Sequence, residues 1–171
     1  MLSEKTRKSI LDLQRLYPEK RSALIPALHL AQAEVGYLPP ETQKEVAVLF
    51  EIDPNEVNAV VTFYDMFFEE PVGKHLLHVC KNVSCMLRGA DDLLEKLCDK
   101  LKIEPGGTSA DGEFTVILSE CLAACDLAPM MIVDEKVIGP VQEGELDLIL
   151  AEARKCPGHP APVEKPEADH A

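Results

Sequence analysis

Four cysteines in two pairs constrain this chain more than any other feature. Cys80 and Cys85 enclose four residues, Cys121 and Cys125 enclose three, and thirty-five residues separate Cys85 from Cys121. Each pair follows a short apolar run that reads as a strand, residues 75–79 before Cys80 and 114–118 before Cys121. An amphipathic helical stretch lies between them. Strand, helix, strand is a crossover that normally makes the two strands parallel. Parallel strands end on one edge of their sheet, so both cysteine loops are expected side by side there, with four thiolates able to converge.

A site made only of thiolates takes zinc or an iron-sulfur cluster, because soft sulfur donors disfavour calcium and magnesium. Structural zinc usually sits on two close knuckles and staples a domain too small for its own core. A [2Fe-2S] cluster has two irons, each taking two cysteines, which suits wider-spaced pairs. The spacing therefore favours the cluster, with zinc as the other reading. Val83, Met86, Leu87, Leu122, Leu127, Pro129 and Met130 are expected to form an apolar shell around it.

The rest of the second half supports a complete domain. Between the cysteine pairs, a helix over 90–101 carries Asp91 and Asp92 in its first turn, favourable to the helix dipole, with Leu94, Leu97, Cys98 and Leu101 on one face. Residues 130–133 and 136–138 flank Asp134-Glu135 as a hairpin, and a last helix over 142–154 turns Leu146, Ile149 and Leu150 inward. The order β-α-β-β-β-α is a thioredoxin-like layout.

The first half reads as four helices. Ile10, Leu13, Leu16 and Tyr17 mark the apolar face of the first, stopped by Pro18. Ser22 is a candidate cap for the second, with Leu24, Ile25, Leu28 and Ala31 as its face and Gly36 closing it. Val46, Leu49 and Phe50 mark the third. Asp53-Pro54 opens the fourth, through Val57, Val60 and Val61 toward Phe63-Tyr64. Breakers between residues 65 and 74 set the boundary. The expectation is an α+β chain: a helical bundle over 1–70, a thioredoxin-like domain over 71–155, and a disordered Pro-rich tail over 156–171.

Lys plus Arg number 17 against 30 for Asp plus Glu, a net charge of -13, which argues against nucleic acid or an anionic lipid surface as partner. An acidic surface suits solubility or a basic protein partner. No apolar run approaches the ~20 residues that span a bilayer, and residues 1–17 read as neither signal nor transit peptide. Gly106-Gly107 lacks the spacing of a dinucleotide loop, and no Walker motif is present.

The segment Cys80-Lys81-Asn82-Val83-Ser84-Cys85-Met86-Leu87-Arg88-Gly89, then Cys121-Leu122-Ala123-Ala124-Cys125 and Ala128-Pro129, resembles the thioredoxin-like [2Fe-2S] ferredoxin subunit of bacterial NADH:quinone oxidoreductase, respiratory complex I. The resemblance extends through Gly36-Tyr37-Leu38-Pro39-Pro40-Glu41 and Val61-Thr62-Phe63-Tyr64-Asp65-Met66-Phe67, covering about residues 15 to 150. It implies a thioredoxin-like ferredoxin domain holding one [2Fe-2S] cluster on Cys80, Cys85, Cys121 and Cys125. It implies docking to a flavoprotein subunit that carries FMN and oxidises NADH, beside other peripheral-arm subunits, with no substrate turnover by this chain alone. The resulting location is cytoplasmic, peripheral on the inner membrane through the assembled complex. The same module resembles the small subunit of NAD-dependent formate dehydrogenases and electron-bifurcating hydrogenases. Where the family usually has glycine in the second cysteine loop, this chain has Ala123, and an α or β backbone is expected there, with Cys125 still directed at the site.

Blander readings stand beside these. Cys98, on an apolar helix face, reads as a buried inert thiol rather than a fifth ligand. Cys156 and His159 lie in the Pro-rich tail and make a poor metal site. His75 and His78 read as strand packing rather than ligands, Lys81 and Arg88 as solvated surface, and the stretch 63–68 as core at the bundle's end or a docking surface. Rivals of another class are a redox-silent zinc adaptor and, from the layout alone, a thiol-disulfide oxidoreductase.

Overall fold

A computed structural model describes residues 1–158. The described chain divides into two compact units, Met1–Pro71 and the residues from Val72 onward.

The first unit holds helices α1 (Glu4–Gln14), α2 (Leu24–Val35), α3 (Pro40–Phe50) and α4 (Pro54–Phe63). Ile10, Leu28, Leu38, Val46 and Val57 are fully buried at its centre. The Asp53 carboxylate accepts from the Asn55 N–H and so caps α4 as expected, with Pro54 in its first turn. Two expectations fail. α1 stops at Gln14, leaving Leu16 77% exposed and Tyr17 outside the helix. Gln14 is buried, and its amide donates to the Leu49 carbonyl at 3.0 Å, a tertiary bond that satisfies the buried group. Ser22 caps nothing, because Lys20–Ala23 forms a 3-10 turn that runs directly into α2.

The stretch 63–68 is core only in part. Phe67 is buried, whereas Phe63 is 76% exposed. The buried Gln32 side chain fixes this segment, donating to the Met66 carbonyl at 2.8 Å and accepting from the Phe68 N–H at 2.9 Å.

The second unit is an α+β sandwich on a four-stranded sheet of order β2-β1-β3-β4. β1 (His75–Cys80) and β2 (Phe114–Ser119) run parallel, and β3 (Met131–Val133) pairs antiparallel with β1 and with β4 (Lys136–Ile138). Leu77 and Val79 of β1, Phe114 and Val116 of β2 share one core with Leu93 and Leu97 of α6 (Ala90–Leu101) and with Leu146 and Ile149 of α7 (Leu146–Ala153). The short α5 (Val83–Met86) lies between β1 and α6. On α6 the buried face is Ala90, Leu93, Leu97 and Cys98: Leu97 and Cys98 are buried as expected, whereas Leu94 and Leu101 are only half-buried. Glu143–Glu145 forms a 3-10 turn, capped by a box between Gln142 and Glu145, in place of the first turn of the last helix.

Cys156 to Gly158 continue as described backbone, and buried Gly158 lies against the Lys74 carbonyl with φ +83°, where a Cβ has no room. The expected tail from residue 159 on, His159 included, lies outside the described residues. Among the described residues no helix is long and apolar enough to cross a membrane.

Candidate metal centre

Alternation along β1 sorts its side chains. Leu77 and Val79 face the helices, while His78 and Cys80 face the opposite side, where Cys80, Cys85, Ala90, Ala128 and Met130 form a separate small core. Cys80 and Ser119 are register partners at the ends of the parallel pair. From that shared edge the chain enters α5 through Cys80 and the 119–130 loop through Ser119.

Backbone bonds tie the two loops together. The Lys81 N–H donates to the Ser119 carbonyl at 2.9 Å, and the Cys80 N–H to the Met130 carbonyl at 3.3 Å. Arg88 Nε donates to the Ala128 carbonyl at 3.4 Å, so this residue, expected as plain surface, bridges the loops. Lys81 pairs with Glu120 at 2.9 Å on the surface. His78 Nδ1 lies 3.2 Å from Ser119 Oγ, which places the imidazole between the strand ends rather than among the ligands. Ser119 and Glu120 escaped notice in the sequence, since a polar pair just past a strand looks like any loop start.

The four expected ligands occupy different environments. Cys80 and Cys85 are buried, Cys121 and Cys125 exposed. Burial pushes the Cys80 thiol up, but hydrogen bonds to the Leu122 and Asn82 backbone and to the Cys85 side chain outweigh it, so Cys80 lies below the ordinary thiol value. Backbone hydrogen bonds to a sulfur favour the thiolate over the thiol. As a thiol, Cys80 Sγ donates to the Glu120 carbonyl at 3.5 Å. Cys85 is pushed up, chiefly by burial, with the adjacent Cys80 and the charge of Cys125 adding to it against a Met130 backbone bond. Cys125 of the second loop therefore lies within electrostatic reach of the first pair.

The second loop departs from expectation at Ala123, whose φ is +57°. This is the left-handed region, which glycine enters freely and alanine at a cost of about 1 kcal/mol. The reversal between Cys121 and Cys125 takes three residues, and Ala124 after it returns to negative φ, at φ −121° and ψ 57°. The loop has kept the conformation that suits glycine without having the glycine.

Among the described residues, no three of His, Cys, Asp or Glu are grouped as a single ion would need. Four sulfurs around one zinc, at about 2.3 Å each, would have to lie within ~4 Å of one another. Two cysteine pairs on loops that leave one sheet edge match the two-iron core in donor type and in pairing. Of the expected shell, Met130 is buried and Leu122 and Leu127 are partly buried against this core. Val83, Met86 and Leu87 are instead 57%, 46% and 76% exposed, an apolar fringe beside the first pair. Cys98 is on α6, buried, with its thiol pushed up by burial and then by Glu104 and Asp99. His75 is buried at the other end of β1, with Nδ1 2.8 Å from Asp134 Oδ2.

Comparison with known proteins gives this geometry a context. The family model for thioredoxin-like [2Fe-2S] ferredoxins matches residues 10–154. An NADH-quinone oxidoreductase subunit of Rhizobium meliloti (strain 1021) is 43% identical over 138 residues, 81% of this chain and 82% of its own. NADP-reducing hydrogenase subunit HndA of Solidesulfovibrio fructosivorans is 40% identical over 135 residues, 79% of each. Among solved structures, an NAD+-reducing [NiFe]-hydrogenase in its air-oxidized state aligns with TM-score 0.66 and 25% identity over 77% of this chain. The match spans 23% of that hydrogenase chain.

Proposed function

The chain belongs to the thioredoxin-like [2Fe-2S] ferredoxin family, and from that membership we propose that Cys80, Cys85, Cys121 and Cys125 hold one cluster in the electron-transfer subunit of an NADH:quinone oxidoreductase. The observation that carries the ligand set is the juxtaposition of two cysteine loops at one sheet edge, joined by backbone bonds from Lys81 and Cys80. When bound, the cluster supplies reversible one-electron transfer.

This chain's own residues do the rest. Cys80 and Cys85 anchor the inner side of the site in the small core of Ala90, Ala128 and Met130, which limits water. The Leu122 and Asn82 amides hold negative charge on the Cys80 sulfur. The more exposed Cys121 and Cys125 form the outer side. Val83, Met86 and Leu87 are the apolar surface on which a flavoprotein subunit carrying FMN and NADH would dock, close enough for electrons to pass. Membrane association, in this reading, comes through that assembly, and the chain alone turns over no substrate.

Relatives of both kinds support an oxidoreductase subunit, and the hydrogenase assembly is the second reading. The test is purification of the chain with its partners, followed by iron, sulfide and flavin analysis and EPR after reduction. Two irons per chain, a spin-half signal, FMN in the assembly and quinone-linked NADH oxidation are expected. One zinc per chain without a signal overturns the cluster assignment, and copurified hydrogenase subunits move the chain to the second assembly.

A further inference from the structure

Helix α6 sorts its charges by side. Lys96 and Lys100 reach across to Glu143 and Asp147, at 2.6 and 2.8 Å. Asp91, Glu95 and Asp99, one turn apart in sequence, line a cleft on another side together with Glu104 of the following turn. Like charges at this helical spacing repel, and none of these four carboxylates forms an ion pair among the described residues. Lys102, next to the cleft in sequence, does not line it.

The floor of the cleft is apolar: half-buried Leu94 and Ile103, exposed Pro105, and the buried Cys98 thiol. Asp99 and Glu104 both raise that thiol's pKa, so their field reaches the floor. The cleft holds about 280 Å³, at the lower limit of small-molecule sites and suited to one or two side chains. No grouping of three metal-binding side chains occurs here or elsewhere among the described residues, so a metal ion is a poor occupant. A second copy of a chain with net charge -13 is poorly matched to an acidic rim.

We propose that the cleft between α6 and residues 103–105 docks a basic segment of a partner protein, one that seats an aliphatic side chain on Leu94 and Ile103 and sets Lys or Arg against Glu95, Asp99 and Glu104. Charge complementarity around an apolar anchor fixes register and steers encounter. The inference rests on the reading of this chain as an assembly subunit. It adds a contact separate from the apolar fringe at the cysteines.

The test is zero-length carbodiimide coupling in the purified assembly, with peptide mapping of the amides formed. Glu95, Asp99 or Glu104 joined to a lysine of another kind of chain is the expected product. A full-length Glu95→Gln, Glu104→Gln variant, with iron content and visible spectrum unchanged, is expected to be retained about tenfold less well, with a weaker salt dependence. Glu41→Gln, on the helical unit, is the control. If flavin copurifies while the cleft carboxylates couple only within this chain or to a second copy, the cleft proposal is overturned and the function stands. If no partner copurifies, both are overturned.

Discussion

Ser119 stands opposite Cys80 at the end of the parallel β1–β2 pair, and its carbonyl accepts the Lys81 N–H at 2.9 Å. That single register position sets the exit of both cysteine loops. A slip by one residue would turn Cys80 to the helix side of the sheet.

The ligand set gives the first prediction. Cys121→Ser should lower cluster affinity by more than the ~10–100-fold that outer-shell changes cost, read as lost iron, sulfide and visible absorption. Circular dichroism of the helical unit should persist, since Cys121 has no part in its core. Cys98→Ala, on α6, should keep the full spectrum. Full cluster content in Cys121→Ser would remove that residue from the site.

The backbone of the second loop gives another. At φ +57°, Ala123 is strained, so Ala123→Gly should stabilise the loop by up to about 1 kcal/mol. Ala123→Val, β-branched at positive φ, should destabilise it by at least as much. Denaturation midpoints of the cluster-loaded chain check both, and a lower midpoint for glycine would show that the loop relaxes out of the left-handed region.

How far the sequence led depended on whether an effect was local. Strand-helix-strand spacing foretold parallel strands and a common edge for the loops, and Asp53-Pro54 foretold a capped helix, because these rest on neighbouring residues. The end of α1 was not legible: Leu16 and Tyr17 continue the apolar period, whereas the residue buried there is Gln14, whose amide partner, the Leu49 carbonyl, is thirty-five residues away. The burial of Leu93 in preference to Leu94 depends on how α6 meets the sheet, and both choices satisfy a helical period. Ala123 misled because residue preference favours α or β there, whereas closing a three-residue gap between two cysteines requires a reversal.

The far end of β1 supplies a stability prediction. Asp134 accepts from buried His75 at 2.8 Å and from the Leu76 N–H at 2.9 Å, at a hairpin position with φ +55°. Asp134→Ala leaves both groups without that partner and should cost about 1–3 kcal/mol. Asp134→Asn keeps an acceptor and tolerates the left-handed backbone, so it should cost less. Urea midpoints in the order wild type, Asn, Ala are expected. Equal loss in both variants would assign the effect to charge alone.

The last prediction concerns pH. The Ser109 hydroxyl, then the Glu113 N–H, bind the Asp111 carboxylate, with Arg154 contributing, and hold it below its ordinary value of 3.8. A depressed folded value means that the ionised form is preferred in the native state. Its contribution to stability is therefore complete above the unfolded value and is lost as pH falls through the lower folded one. The carboxylate is exposed, so the stability effect is small and the titration itself is the better readout. Carbon NMR of the Asp111 carboxyl should give a midpoint below 3.8 in the native chain. Ser109→Ala removes the largest cause and should move that midpoint upward, whereas Arg154→Gln should move it less, because Arg154 acts at 3.5 Å across exposed surface. If Arg154→Gln produced the larger shift, the ion pair and not the hydroxyl would be the source of the depression.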